Sequence, residues 1–172
     1  MSAVDPGRAP LPKRAGPRPT TTPTNPHMQL DQQPVGTEQR ELLAAEVFTL
    51  PGVQEHPSLL SLPGARALWL ADVVGAPADA FMAGIEFAHL HPSPDQSLHM
   101  MLPPALVDEA TEAGWAEQHP AARRGLISAN AMMVYAPRTD EERAVVASLV
   151  KASHAYATGE GAGGDSGTAG PT

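Results

Sequence analysis

The sequence predicts an α+β domain in which helices cover one face of a mainly antiparallel sheet of about four strands. Apolar and capping patterns follow one another in the order helix, strands, helix, strand, helix. Two of the strand patterns are separated only by a short loop with two prolines and an aspartate, which is typical of a hairpin. We therefore expect the sheet face opposite the helices to line a pocket.

Three helices are predicted from start and stop signals. Thr37 precedes the first, at 38–49, which carries an apolar stripe and ends before a Pro-Gly pair. Two prolines open the second, at 105–113, and Gly114 closes it. A Thr-Asp-Glu-Glu capping box opens the third, at 139–156.

The strands are predicted from short apolar runs bounded by turn residues. They cover 66–70, 81–91, 97–102 and 130–135. The segment 53–64 stays unassigned, because prolines bracket its one apolar run and leave a helical turn and an edge strand equally open.

Both ends of the chain differ in composition from its centre. Residues 1–36 are rich in proline, threonine and glycine, and residues 158–172 in glycine, serine, threonine and alanine. Such segments bury too little apolar surface to offset the entropy of ordering. We therefore expect disordered tails around a single globular domain at 37–157.

The predicted hairpin is the most informative part of the chain, because it presents three histidines. If His91 pairs with Ser97 across the loop, His89 pairs with His99. Opposed residues have Cβ atoms roughly 4.5–5.5 Å apart, and residues two apart share a face. The three imidazoles would then converge, whereas a register slip of one residue would move His99 to the other face.

Three interpretations of this cluster are open. The histidines can be ordinary packing residues, they can act on a substrate as a base near neutral pH, or they can hold a metal ion. Packing several imidazoles together costs desolvation, and a ligand would offset that cost. Glu86 would point away from His89 on a regular strand, so it joins the site only if a bulge intervenes near Gly84.

Composition excludes several classes of function. The chain has no cysteine, which excludes disulfides, thiolate catalysis and zinc–cysteine or iron–sulfur sites. Its net charge of −8 argues against nucleic-acid binding. It has no P-loop, no Gly-x-Ser-x-Gly elbow and no dinucleotide fingerprint. With no apolar run of signal-peptide or membrane-span length, we expect a cytoplasmic protein without a membrane partner.

Several short segments together resemble the luciferase-like domain family, which occurs mostly in actinobacterial and fungal proteins. They are Glu-Phe-Ala-His-Leu-His-Pro at 86–92, Ser-Leu-His-Met-Met-Leu-Pro at 97–103, Gly-Trp at 114–115, His-Pro at 119–120 and Val-Tyr-Ala-Pro-Arg at 134–138. The resemblance extends over about 51–159. It implies a domain related to the fungal luciferases, which oxygenate a hydroxylated pyrone without a known organic cofactor.

The resemblance and the hairpin together predict a small-molecule oxygenase that acts on an enolic or aromatic substrate. The expected catalytic residues are His89, His91, His99 and Arg138, where one imidazole removes a proton and a second imidazole or Arg138 stabilises the enolate. The expected substrate-binding residues are Glu86, Trp115 and His119. No cofactor is expected apart from a possible metal on the three hairpin histidines. The alternatives are a metal-dependent enzyme and a non-catalytic small-molecule-binding domain.

Overall fold

The computed structural model describes residues 7–160, which form a six-stranded antiparallel sheet and four α-helices. The helices are α1 (Glu38–Val47), α2 (Pro104–Glu112), α3 (Pro120–Arg123) and α4 (Asp140–Thr158). The strands are β1 (Val53–Pro57), β2 (Arg66–Leu70), β3 (Glu86–Leu90), β4 (Leu98–Met101), β5 (Ala116–Gln118) and β6 (Ala131–Val134). They lie in the order β1-β2-β3-β4-β6-β5.

The α+β class and the antiparallel sheet are confirmed, but the expected number of about four strands is wrong. The four predicted strands are the inner four of the sheet, and both missed strands lie at its edges. β1 has no buried residue, and β5 is only three residues long. Edge strands can be short and polar because one side faces solvent, so they carry little of the alternation on which sequence prediction depends.

The predicted strand at 81–91 begins later than expected. A short 3-10 turn occupies Ala78–Ala80, and an isolated bridge joins Ala83 to Glu86 before β3 starts. The chain therefore reverses direction immediately before the histidine hairpin, and β3 itself is buried along its whole length.

The last helix forms around the predicted capping signal. The Thr139 hydroxyl accepts a hydrogen bond from the Glu142 backbone N–H at 3.2 Å. The Glu142 carboxylate accepts from the backbone N–H of Arg138, not of Thr139, so only half of the capping box is made. Gly159 ends α4 with a φ of +76°, a conformation that glycine adopts without steric cost.

The two faces of the sheet are covered by different parts of the chain. Apolar side chains of α1, α2 and α4 share one core with the strands, including Leu43, Leu106 and Leu149. Three of the four helices thus lie on one face, as predicted. The short helix α3 packs on the opposite side, where Ala122 contacts Met101.

The N-terminal segment contradicts the expectation of a disordered tail over 1–36, because residues 7–36 pack against the domain. The Arg14 backbone N–H donates to Ala113 O at 2.9 Å, and Arg18 donates to Ala116 O at 3.0 Å. Trp115 Nε1 donates to Pro12 O at 2.6 Å. Composition misses this segment because polar contacts to a helix end and an edge strand hold it, with little apolar burial. Residues 1–6 and most of the predicted tail at 158–172 lie outside the described residues.

None of the helices within residues 7–160 combines the length and the hydropathy that crossing a bilayer requires.

Candidate active site

The hairpin of β3 and β4 has the predicted register. His89 pairs with His99, and the backbone N–H of His91 donates to Ser97 O at 2.9 Å. The three imidazoles share one face, with ring centroids 4.6 to 5.2 Å apart. All three histidines are at most 7% exposed. The register, set by the five-residue loop, therefore produces the convergence that the sequence predicts.

One nitrogen of each ring points to a common centre. His89 Nε2 lies 3.2 Å from His91 Nε2 and 3.2 Å from His99 Nδ1. These three side chains can each offer one ligand atom within 4.8 Å of the others, as a metal site requires.

A buried carboxylate orients His89. Glu86 Oε1 lies 2.8 Å from His89 Nδ1, and the same carboxylate accepts from the Ser58 hydroxyl at 2.7 Å. Glu86 reaches this face because the register with β2 shifts: Trp69 pairs with Glu86 but Leu68 with Ala88, which leaves an extra residue in β3. A bulge is thus what brings Glu86 to the cluster, and it lies at residue 87 rather than near Gly84.

A second carboxylate, from the hairpin loop, orients His91. Asp95 Oδ2 lies 2.8 Å from His91 Nδ1, and Asp95 also accepts from both the backbone N–H and the hydroxyl of Ser97. The hairpin loop is therefore hydrogen-bonded to the histidine that precedes it. His91 and Asp95 are both almost completely buried.

The N-terminal segment brings a fourth histidine to the site, which the sequence analysis missed. His27 Nδ1 lies 3.0 Å from His99 Nε2, and His27 Nε2 lies 2.7 Å from Glu117 Oε1. Glu117 also accepts from the hydroxyls of Thr21 and Tyr135. No local pattern marks His27, which follows an Asn-Pro pair in a proline-rich stretch 72 positions before His99.

His119 completes a group of five imidazoles. Its ring lies 5.1 Å from the rings of His27 and His99, and its Nδ1 accepts the Ala121 backbone N–H at the start of α3. His119 also lines the cavity. His27, His99 and His119 form a second group with the spacing of metal ligands.

Burial disfavours the charged form of three of the imidazoles, and hydrogen bonds favour the charged form of the carboxylates. Desolvation lowers the pKa of His89, takes that of His99 well below its usual value and lowers that of His119 to about 4. Burial alone would raise the pKa of Glu117, but hydrogen bonds from His27, Thr21 and Tyr135 bring it to about 2. The pKa values of Glu86 and Asp95 are also lowered. Burial again acts to raise them, and the hydrogen bond to the neighbouring histidine is the largest of the effects that lower them.

The cluster lies at one end of a cavity of about 840 Å³. Its walls are mostly apolar and include Leu62, Phe81 and Met101. Leu60 and Ile127 also line it and are 58% and 46% exposed, which indicates that they form the mouth. The cavity thus joins an apolar entrance to a polar end.

Three predicted site residues do not line this cavity. Glu86 was expected to bind substrate, but its carboxylate is fully buried behind His89 and contacts that ring instead. The Arg138 guanidinium pairs with Glu142 and donates to Ala15 O at 2.7 Å, so it holds the N-terminal segment. Its position is a correction: Arg138 lies just before the N-cap Thr139, where Glu142 in the first turn of α4 accepts from both its backbone N–H and its guanidinium. Trp115 is also misplaced by the prediction, since its ring belongs to the core beneath the helices and its N–H is taken by Pro12.

Comparison with known proteins finds one family model and several luciferases that are similar to this chain. Residues 84–153 match the family model described as "Luciferase domain". The chain is 32% identical to the luciferases of Armillaria ostoyae and Armillaria mellea over 170 residues, which cover 89% of this chain and 63% of each relative. The chain is similar to the luciferase-like domain family. The matched part contains all three hairpin histidines together with Glu86, Glu117 and His119, whereas His27 lies outside it.

A shorter match extends to another fungus. The chain is 38% identical to the luciferase of Neonothopanus nambi over 80 residues, 45% of this chain and 30% of that relative. The chain therefore spans at most 63% of the length of these relatives. No solved structure matches the chain.

Proposed function

We propose that the chain is a small-molecule enzyme, an oxygenase acting on an enolic or aromatic substrate whose oxygen atom meets the three hairpin histidines. The observation that carries this proposal is the cavity of about 840 Å³ that ends on His89, His91 and His99. A volume of roughly 300 to 1,000 Å³ is typical of sites for drug-sized organic molecules.

The lining favours a substrate with one polar end. The walls around Leu62, Phe81 and Met82 offer apolar contact, and the converging imidazole nitrogens form the polar end. A flat ring carrying a hydroxyl group would bury its carbon skeleton against the walls and direct the hydroxyl to the cluster. Cavities of this kind fix orientation through a few polar groups and gain affinity from apolar area.

The chemistry follows from the carboxylate behind His89. In this proposal the His89 imidazole accepts the proton of an enolic O–H, because the Glu86 carboxylate 2.8 Å from its Nδ1 stabilises the resulting imidazolium, and an electron-rich enolate is left. Dioxygen then adds to the enolate carbon, a C–O bond forms, and the O–O unit is reduced to the level of a hydroperoxide by the two electrons of the enolate. The proton taken from the hydroxyl ends on the outer peroxide oxygen, so the substrate and dioxygen together account for every atom of the product.

The similarity to this family supports the oxygenase class, since the matched relatives are named luciferases. The net charge of −8 supports a small-molecule substrate rather than nucleic acid. The other reading, a domain that binds a small molecule without converting it, has the same cavity and predicts binding without turnover.

Oxygen uptake tests the proposal. The full chain is screened with hydroxylated aromatic and enolic compounds, in wild-type form, as His89→Ala and as His56→Ala. His56 is a matched control because it stacks on Trp69 at 4.1 Å in β1 and does not line the cavity. We expect uptake that His89→Ala abolishes and His56→Ala retains. A ligand that binds and is recovered unchanged, with no uptake by any compound, would favour the binding domain.

A further inference from the structure

The hydrogen-bonding state of the hairpin histidines is set from outside the cluster. His89 Nδ1 faces the charged Glu86 carboxylate and His91 Nδ1 faces the charged Asp95 carboxylate. A carboxylate only accepts, so each of these Nδ1 atoms carries the proton. In the neutral form of each ring the Nε2 atom then carries the lone pair, and these two Nε2 atoms meet at 3.2 Å.

His99 reaches the same state through a relay of two residues. Glu117 accepts from His27 Nε2, which leaves a lone pair on His27 Nδ1. That atom lies 3.0 Å from His99 Nε2, which must then donate. The remaining nitrogen, His99 Nδ1, therefore also directs a lone pair at the centre of the cluster.

With neutral rings, three lone pairs thus converge on one point, and three carboxylates lie behind them; Arg18 reaches one of these, Glu117, only through the Tyr135 hydroxyl. Within residues 7–160, no lysine or arginine contacts the carboxylates of Glu86, Asp95 or Glu117; their partners are histidines, hydroxyls and backbone N–H groups. Buried charge of one sign is costly unless an opposite charge is near. A cation at the centre would satisfy the lone pairs and balance this charge.

We propose that His89, His91 and His99 coordinate one divalent transition-metal ion, and that His27 and Glu117 are positioning residues for the His99 ligand. Zinc–imidazole bonds of about 2.0–2.1 Å at tetrahedral angles separate the ligand nitrogens by about 3.4 Å, close to the 3.2 Å of two pairs here. Three protein ligands leave a coordination position open, as in catalytic sites, and the cavity lies on this cluster.

The ligand chemistry selects the class of ion. An all-imidazole set without thiolate or carboxylate ligands suits zinc, copper, iron or nickel rather than magnesium or calcium. The carboxylates act behind the histidines, in the arrangement in which a metal-bound imidazole donates its second N–H to an acid. In this chain the His99 ligand differs from the other two, because a second histidine stands between it and its carboxylate.

The catalytic use of the ion rests on the proposed function, but its binding does not. A bound divalent ion would take over the role proposed for the imidazole base, because it would supply positive charge at the substrate oxygen and let the hydroxyl proton pass to solvent. This chain's own residues hold that position and leave it open to the cavity.

Metal titration of the full chain tests the inference. The protein is stripped with a chelator and titrated with Co²⁺ or Zn²⁺, with Co²⁺ absorption and calorimetric stoichiometry as readouts. We expect one ion per chain, at least 100-fold weaker binding in His89→Ala and in His91→Ala, and unchanged binding in His56→Ala. Absence of stoichiometric binding in a wild-type chain that melts cooperatively would overturn the inference.

A second set of variants tests the relay of His27 and Glu117 behind His99. Removing the carboxylate behind a metal-bound histidine typically costs 10- to 100-fold in affinity, so Glu117→Gln and His27→Ala should weaken binding by about that factor. His27→Asn should recover most of it, because its side-chain oxygen can accept from His99 Nε2 as the imidazole does. Equal losses in His27→Ala and His27→Asn would reject the relay, and two ions per chain would assign His27 as a ligand in the second group with His99 and His119.

The outcomes separate this inference from the proposed function. One bound ion without oxygen uptake supports the metal site and counts against the oxygenase. Full oxygen uptake by the metal-free chain supports the oxygenase and rejects a catalytic use of the ion, whereas the metal site itself is overturned only by the absence of stoichiometric binding.

Discussion

The two faces of the β3–β4 hairpin differ in what their side chains do. On one face Ala88, Leu90, Leu98 and Met100 join the apolar core under the helices. On the other face His89 and its neighbours keep polar atoms buried around one point. Adjacent residues of the same strand thus face the apolar core on one side and the proposed site on the other. We therefore expect neighbouring substitutions to differ in their effects: those on the histidine face should lower activity, and those on the apolar face should lower the free energy of unfolding.

The largest expected effect is on the histidine face. His91→Ala should lower catalytic turnover by about 10²- to 10⁴-fold, the contribution typical of a positioned imidazole. The apolar face is untouched, so the variant should still unfold cooperatively. Oxygen uptake and urea unfolding on the same preparation check both statements. An active variant would show that the polar face is ordinary packing.

The opposite face should respond in the opposite way. Leu90 is 1% exposed within the helix-side core, so Leu90→Ala should lower the free energy of unfolding by about 2 to 5 kcal/mol. The histidines on the other face keep their partners, so metal affinity per folded molecule should not change. Urea unfolding measures the first effect and Co²⁺ titration at low temperature the second. Loss of metal binding in the folded variant would mean that the two faces are not independent.

The smallest effect tests the corrected position of Arg138. Arg138→Ala removes the partly exposed pair with Glu142 and the bond to Ala15, which should cost about 1 kcal/mol of stability. We expect faster native-state trypsin cleavage after Lys13 and unchanged turnover. A 100-fold loss of turnover with an intact N-terminal segment would return Arg138 to the catalytic site.

The same contrast explains how much the sequence predicts. The hairpin is predictable because its register depends on a five-residue loop and its histidines alternate with apolar residues. The pairing of Arg138 with Glu142 could also have been predicted from the sequence, since the two residues are four apart at the start of a helix.

The rest of the site depends on structure that no local pattern encodes. Glu86 joins the cluster through a bulge that needs the register of β2. His27 is brought in by a proline-rich segment whose polar contacts leave no periodicity. Composition alone therefore predicted disorder for the N-terminal segment, although this segment supplies the fourth imidazole.

X-ray absorption spectroscopy of the Zn²⁺-loaded full chain tests the central claim most directly, because it reports the atoms around the ion. The account predicts three imidazole nitrogens at about 2.0–2.1 Å and one further light atom. His99→Ala should reduce the imidazole count to two, and His56→Ala should leave it at three. A shell of oxygen atoms without imidazole scattering would contradict the assignment of His89, His91 and His99 as ligands.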